Sequence, residues 1–316
     1  MKILIVGYGS IGQRHFSNFK KYSDVKVFES QPKRWENFFL KSIKEALKWN
    51  PDGVVICTPT HTHLNVAKRF LGLNCQILIE KPLIHKFSLI KSFKENKRFD
   101  VKNISIVSNM RFHKGILTLN KNIKKIGKIF FVRSHFGNWL PNMRPTVDYR
   151  RVYSAKKKYG GGVILDCSHE IDYLSNLFGE IKKVSLFKKK LSSLEIDVED
   201  FATMVIQHDK KIISELHLDF LRPIKKRGCE VVGEKGTIIW ESLGKQPEKC
   251  VVKFCRKGDL KFSTIYSNKN LDTNLCYDLM TKEFIKKIQN KKNINLLSFS
   301  EACNQLIEIE KSQIID

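Results

Sequence analysis

Gly7-Tyr8-Gly9-Ser10-Ile11-Gly12 stands directly behind the apolar run ILIV (3–6) and directly before a stretch of helical period. Glycines spaced G-x-G-x-x-G at a strand-to-helix turn have a specific physical use. The first permits the tight turn, the second lets backbone come up to a pyrophosphate, and the third lets helix and strand pack closely. Phosphates would then rest on free N–H groups at the positive end of the helix dipole. Glu29 closes the second apolar run, 17 residues beyond Gly12. A carboxylate there can accept hydrogen bonds from adenosine ribose hydroxyls and repels a 2′-phosphate. NAD is therefore the expected cofactor, with NADP left open by Lys33 and Arg34 just beyond.

The first 120 residues repeat this grammar. ILIVG (3–7), VKVFES (25–30), GVVICTP (53–59), QILIEKP (76–82) and ISIVSN (104–109) have strand length and are rich in Val and Ile. Helical patterns such as 15–22 and 63–73 lie between them. Continuous apolar strands alternating with helices predict a parallel sheet buried on both faces, a doubly wound α/β domain over 1–120. Beyond it the strands KIFFVRSHF (128–136), FATMVIQHD (201–209), KIISELHLDFL (211–221), GTIIWES (236–242) and KCVVKFC (249–255) come close together. Their spacing predicts an α+β domain over 121–316 with a large, mostly antiparallel sheet. One helix is expected over 163–178, ending at Gly179, and another over roughly 274–290.

Composition narrows the function classes. The chain has 316 residues and a formal net charge of +25, which attracts polyanions. Yet much of the charge is dispersed lysine, as in KSFKENKR (91–98) and LFKKKL (186–191), and no zinc finger, helix-turn-helix or aromatic RNP strand accompanies it. No nucleic-acid partner is expected. The eight cysteines contain no C-x-x-C pair, so neither a zinc site nor a disulfide framework is expected, and the compartment reads as cytoplasmic. MKILIVGYGSIG is too short for a signal h-region, and no segment reaches about 18 consecutive apolar residues, so no membrane partner is expected.

Further motifs follow in order: Thr58-Pro59-Thr60 with His63, Glu80-Lys81-Pro82, Asn109-Met110-Arg111-Phe112, and Gly160-Gly161-Gly162 leading to Asp166, His169 and Asp172. Together with the glycine loop they resemble the glucose–fructose oxidoreductase / inositol dehydrogenase (Gfo/Idh/MocA) family. The stretch 139–174 looks like the surface-polysaccharide and nucleotide-sugar branch. The resemblance implies a nicotinamide cofactor and hydride transfer to or from a sugar or cyclitol carbon. It implies that Thr58, Pro59, Thr60 and His63 line the cofactor cleft, that Glu80 meets the nicotinamide ribose, and that Lys81 lies beside the nicotinamide and the reacting carbinol. It also implies a homo-oligomer paired through the second-domain sheet.

Chemistry supports a catalytic set independently. Oxidising a carbinol removes a hydride and a hydroxyl proton, so a group of near-neutral pKa must take the proton, and histidine suits that task. On one helix Asp166, His169 and Asp172 would share a stripe, with a carboxylate orienting the imidazole. The expected catalytic residues are His169 as base, Lys81 as the cation stabilising alkoxide, and Asp172 and Asp166 as orienting acids. Asp166 stands three residues before His169, one fewer than is common in the family, so a capping role stays open. Arg111, Trp139, Arg144, Tyr149, Arg150 and Tyr153 are the expected substrate residues, able to stack on a sugar and pair with a phosphate or carboxylate. Arg111 could instead tie the domains together. A neutral substrate, as for a free-sugar or inositol dehydrogenase, is the alternative within the enzyme class; a non-catalytic dinucleotide-binding sensor or scaffold is the alternative outside it.

Overall fold

A computed structural model describes residues 1–31, 36–90 and 101–314. Lys33, Arg34 and the basic run 91–98 lie outside the described residues. The chain divides into two compact units, Met1–Asn109 with Tyr277–Cys303, and Met110–Cys276 with Asn304–Asp316.

In the first unit, strands β1 (Lys2–Val6), β2 (Asp24–Phe28), β3 (Phe39–Leu40), β4 (Gly53–Ile56), β5 (Gln76–Ile79) and β6 (Ile104–Ile106) alternate with helices α1 (Ser10–Phe19), α2 (Ile43–Lys48) and α3 (His63–Lys68). The strands run parallel in the order β3-β2-β1-β4-β5-β6. Ile3, Leu4, Ile5, Val54, Val55, Ile56, Ile77, Leu78 and Ile79 are fully removed from water. That is why these strands read as unbroken apolar runs: both faces of the sheet are covered. The strand order reverses between β1 and β4, and in such sheets ligands bind at the carboxyl ends of the strands where it does.

The second unit is built on β7 (Ile129–Gly137), β8 (Ile181–Lys189), β9 (Phe201–His208), β10 (Ile213–Asp219), β11 (Lys226–Gly233), β12 (Gly236–Leu243), β13 (Glu248–Arg256) and β14 (Ser263–Leu271), in the order β14-β13-β12-β11-β7-β10-β9-β8. The pairing is antiparallel except for β7 with β10. Burial alternates along the strands, as in β9, where Ala202, Met204 and Ile206 are buried while Thr203, Val205 and Gln207 are exposed. One face therefore packs inward and the other lies open. Helices α4 (Lys114–Asn122), α5 (Leu140–Met143), α6 (Val163–Asp166) and α7 (Ser168–Phe178) follow in this unit; α4 packs on β12 and β13, and α7 on β7 and β10. Trp240 joins the helices to the sheet, its ring 5.0 Å from His113 and 5.8 Å from Tyr173.

Two expectations need correction. The single cut at 120/121 is replaced by a division at 109/110 and by a returning segment. Helix α8 (Asn274–Ile288), strand β15 (Leu297–Ser298) and helix α9 (Phe299–Glu310) carry residues 277–303 back to the first unit. There Phe284 is fully buried against Phe19, and Leu297 pairs with Ile106 of β6. The apolar stripe of α8 is what makes the return favourable, because it completes the first unit's core. A final strand, β16 (Gln313–Ile314), pairs with β8. The helix expected over 163–178 is two pieces, α6 and α7, interrupted at Cys167 with φ −100° and ψ 25°. Gly179, with φ 110°, ends α7 as expected. Among the described residues no helix is long and apolar enough to cross a membrane.

Trp240 is fully buried, and Gly115 leaves no room for a Cβ beside its indole. Trp240→Ala should lower the unfolding free energy by about 3–5 kcal/mol, measured by urea denaturation.

Candidate active site

The cradle residues explain themselves sterically. A Cβ on Gly7, whose φ is +95°, would lie 2.9 Å from the Cys57 carbonyl, and one on Gly12 would lie 2.1 Å from the Gly7 oxygen. At Gly9 a Cβ would meet nothing within 4 Å. Gly7 is thus demanded by its positive φ and by the close passage of the residues after β4, and Gly12 by the packing of α1 on the turn, while Gly9 leaves space open above it. Helix α1 starts at Ser10 with no acidic residue in its first turn and no side chain capping its N-terminus. Those N–H groups suit a phosphate. Tyr8 and Ile11 flank the opening, and the Tyr8 ring packs edge-on against Phe16 and Phe39. Glu29 Oε2 accepts a hydrogen bond from the Tyr8 N–H at 2.8 Å and Oε1 one from the Ser30 N–H at 2.8 Å. Backbone thus aims the carboxylate, and its remaining lone pairs can accept ribose hydroxyls. The donor set and the open space fit a dinucleotide.

Thr58, Pro59 and Thr60 follow β4 and are at least partly exposed. His63 is buried, with Nε2 2.8 Å from the Thr58 oxygen and Nδ1 3.1 Å from the Pro82 oxygen. It staples the loop after β4 to the loop after β5. Glu80 is also turned inward, 7% exposed. Its Oε1 lies 2.8 Å from His15 Nε2, and its Oε2 accepts the Lys81 N–H at 3.0 Å. The sequence does not single out His15, because a lone histidine in a helical pattern carries no signal of its partner. Lys81, next in the chain, is half-buried.

In the second unit the expected stripe of Asp166, His169 and Asp172 is divided. Asp166 ends α6, and its carboxylate accepts a short hydrogen bond from the Tyr153 hydroxyl. His169 lies half-buried in the first turn of α7. Asp172 is buried and gripped by Arg111, with Nε 3.1 and 3.0 Å from the two carboxylate oxygens and Nη2 2.7 Å from Oδ1. Arg111 is only 3% exposed. It pairs within its own unit because a buried guanidinium requires a carboxylate. Arg150 is likewise committed, to Asp148 at 2.9 Å and Glu195 at 3.3 Å, and the Tyr149 hydroxyl accepts the Glu195 N–H. Arg144 is exposed, its guanidinium 5.5 Å from the centre of the Tyr153 ring. Trp139 is half-buried at the start of α5. The Gly160–Gly162 turn packs under this group: a Cβ on Gly161 would strike the carbonyl oxygens of Tyr153 and Ser154 at 2.5 and 2.6 Å.

Beneath α7 lies a set of buried charges that sequence reasoning did not find. Arg227 Nε contacts Glu170 Oε1 as an ion pair, its Nη1 lies 3.0 Å from Met110 Sδ, and its guanidinium sits 4.5 Å from the Phe136 ring centre. Glu248 receives the Lys225 ammonium at 2.8 Å and the His113 Nε2–H. The Gly115 N–H donates to His113 Nδ1, so the imidazole is the neutral Nε2–H tautomer. Burial, which holds its pKa down, agrees with that state.

Comparison with known proteins follows the two units. Residues 1–98 match the model described as "Oxidoreductase family, NAD-binding Rossmann fold", and residues 122–239 match the GFO/IDH/MocA C-terminal domain. The chain belongs to the Gfo/Idh/MocA family. Relatives within the family include the uncharacterized oxidoreductase YhhX of Escherichia coli, 28% identical over 66% of this chain and 58% of that one. Myo-inositol 2-dehydrogenase of Thermotoga maritima is 26% identical over 57% of this chain and 55% of that one. The chain thus matches less than two thirds of the length of either. The WlbA dehydrogenase from Bordetella pertussis, crystallised with NADH and UDP-GlcNAcA, has the same fold, with a TM-score of 0.73 at 16% identity, covering 99% of this chain and 96% of that one.

The buried carboxyls of this Gfo/Idh/MocA chain make its stability pH-dependent. Burial raises the Glu248 pKa, but the hydrogen bond from His113 and the Lys225 charge outweigh it and bring the carboxyl down to about 2. Burial likewise raises the Asp219 pKa, but the hydrogen bonds from His217 and Arg222 outweigh it and bring this carboxyl down to about 2 as well. Both values lie below the roughly 4 of an unfolded chain. Their stabilisation is therefore complete above the unfolded value and lost as pH falls through the folded one. Urea midpoints should drop steeply below about pH 4.5 and less steeply in Glu248→Gln; equal slopes would discount the site.

Proposed function

We propose that the protein is an NAD(P)-dependent oxidoreductase that transfers hydride between the nicotinamide and a carbinol or ketone carbon of an anionic or nucleotide-linked sugar. We place it in the cytoplasm, in surface-glycan biosynthesis, and as a homo-oligomer paired through the open face of the second-unit sheet. That face carries Val205 and Ile213, 43% and 45% exposed.

The observation that carries the substrate class is Arg144. Arg150 and Arg151 pair with Asp148, whereas Arg144 has no acidic partner among the described residues and rests on Tyr153. A guanidinium held over an aromatic ring with its edge in water suits a carboxylate or phosphate. The WlbA dehydrogenase complex with UDP-GlcNAcA supports an acidic sugar. A neutral cyclitol is the second reading, favoured by the commitment of Arg150 to Asp148 and Glu195 and by the myo-inositol 2-dehydrogenase relative.

In the mechanism, Gly7–Gly12 and Glu29 would hold the adenosine end, and Thr58, Pro59 and Thr60 would line the cofactor's path. The bound nicotinamide supplies the hydride acceptor or donor. His169 takes the hydroxyl proton during oxidation and returns it during reduction. The Lys81 ammonium stabilises negative charge developing on the same oxygen. Asp166 acts through Tyr153, and Asp172 acts by anchoring α7; neither is assigned a proton.

His169→Ala should keep NADH binding and lose turnover by about two to four powers of ten, and Lys81→Ala should be similarly crippled. Normal rates in either variant would remove that residue from the mechanism. Arg144→Met should raise KM for a uronate-bearing nucleotide sugar by roughly 10-fold or more and leave KM for myo-inositol unchanged. Wild-type turnover of neutral cyclitols alone would instead establish the second reading.

A further inference from the structure

Helix α7 carries His169 between two buried carboxylates. At 3.6 residues per turn, Glu170 lies about 100° to one side of His169 and Asp172 about 60° to the other. Each is met by an arginine from outside the helix. Arg227 reaches Glu170 from β11, and Arg111 reaches Asp172 from the turn just after residue 109. The exposures are 0% for Glu170, 3% for Asp172, 3% for Arg111 and 9% for Arg227. The two grips are connected, since Arg227 Nη1 also lies 3.0 Å from the sulfur of Met110, the neighbour of Arg111. Phe136 backs the Arg227 guanidinium at 4.5 Å and limits its tilt.

Stability alone does not account for this arrangement. Two buried ion pairs cost so much desolvation that apolar residues of similar volume commonly serve at least as well. What the pairs supply is direction. The forked contact of Arg111 with both oxygens of Asp172 has one favoured geometry, and with the closer single Nε–Oε1 ion pair of Arg227 and Glu170 on the other flank it opposes rotation of the helix about its axis in both senses. An apolar interface would tolerate several rolls of the same helix.

We infer that Arg111 and Arg227 are positioning residues for His169, fixing the roll of α7 and hence the direction of the imidazole. The inference rests on the proposed function insofar as His169 is the base, but the clamp itself is a property of the second unit. The charges balance: Arg111, Arg227 and Lys225 face Asp172, Glu170 and Glu248. Removing one member strands its partner, so single truncations would confuse misfolding with misorientation. The informative variants are the neutral pairs Glu170→Gln/Arg227→Met and Arg111→Met/Asp172→Asn, together with Arg227→Lys and Arg111→Lys, which keep charge and lose the planar fork.

The experiment follows thermal stability, NADH affinity, kcat and KM, and the imidazole resonances of isotope-labelled histidine, with His169 assigned by their loss in His169→Ala. Expected is a protein that melts cooperatively and binds NADH like the wild type, with kcat reduced up to about 100-fold and KM little changed. The His169 resonances should move or broaden in the pair variants and move less in the lysine variants. Unmoved His169 resonances with unchanged kcat, in whichever of the pair or lysine variants fold, would overturn the clamp. A wild-type protein that turns over no sugar would count against the proposed function alone, because the resonances test the clamp without substrate.

Discussion

Asp172, Glu170 and Glu248 are almost completely withdrawn from water in the second unit, and an ionised carboxylate cannot stay there unpaired. Arg111, Arg227 and Lys225 meet them, and these pairings set how α7, the turn at 110–112 and the starts of β11 and β13 fit together. An aromatic and apolar shell, including Trp240, Tyr173 and Phe136, closes around the charges and keeps their mutual attraction strong. The roll of α7, on which we infer the direction of His169 to depend, is set among these contacts. Packing in this region, and through Glu248 part of the pH response, thus rest on one set of ion pairs.

The first unit depends on a different constraint, the close passage of backbone past backbone at the β1–α1 turn. Gly12 lies so near the Gly7 carbonyl that no side chain fits, and that contact fixes where α1 begins and which N–H groups remain open. Glu29, Glu80 and His63 then organise the loops at the carboxyl end of the sheet through hydrogen bonds to backbone. Two residues expected at the cofactor cleft also hold the loops around it. His63 spans two of them, and Glu80 joins His15 to the Lys81 amide.

Much of the fold was legible. The first-unit strands declared themselves because burial on both faces demands continuous Val and Ile, and the glycine loop declared itself through sterics that operate within six residues. Strands β8, β11 and β14 escaped notice. LFKKKL reads as a solvated charge run, KRGCEVVG opens with charge, and STIYSNKNL is largely polar, because each lies on a sheet with one open face or at its edge. The site was legible by type and less so by partner. Asp166 and Asp172 read as acids beside the histidine, and the structure adds partners that the sequence does not show, Tyr153 for one and Arg111 for the other. Arg150 was read as an anion reader, yet Asp148, two residues away, holds it.

By itself the sequence determined the dinucleotide-binding turn, the two-part α/β and antiparallel organisation, the family, and the residue types available for hydride-transfer chemistry. These follow from local sterics and from periodicity, which act over a few residues. Only the tertiary structure decided that residues 277–303 return to the first unit, that Cys167 interrupts the helical run 163–178, and which arginine is buried and which stays exposed. Pairing of buried charge is settled between residues as distant as Arg111 and Asp172 or Glu170 and Arg227. No local pattern records it, because the energy that selects the partner arises only once water has been excluded from both.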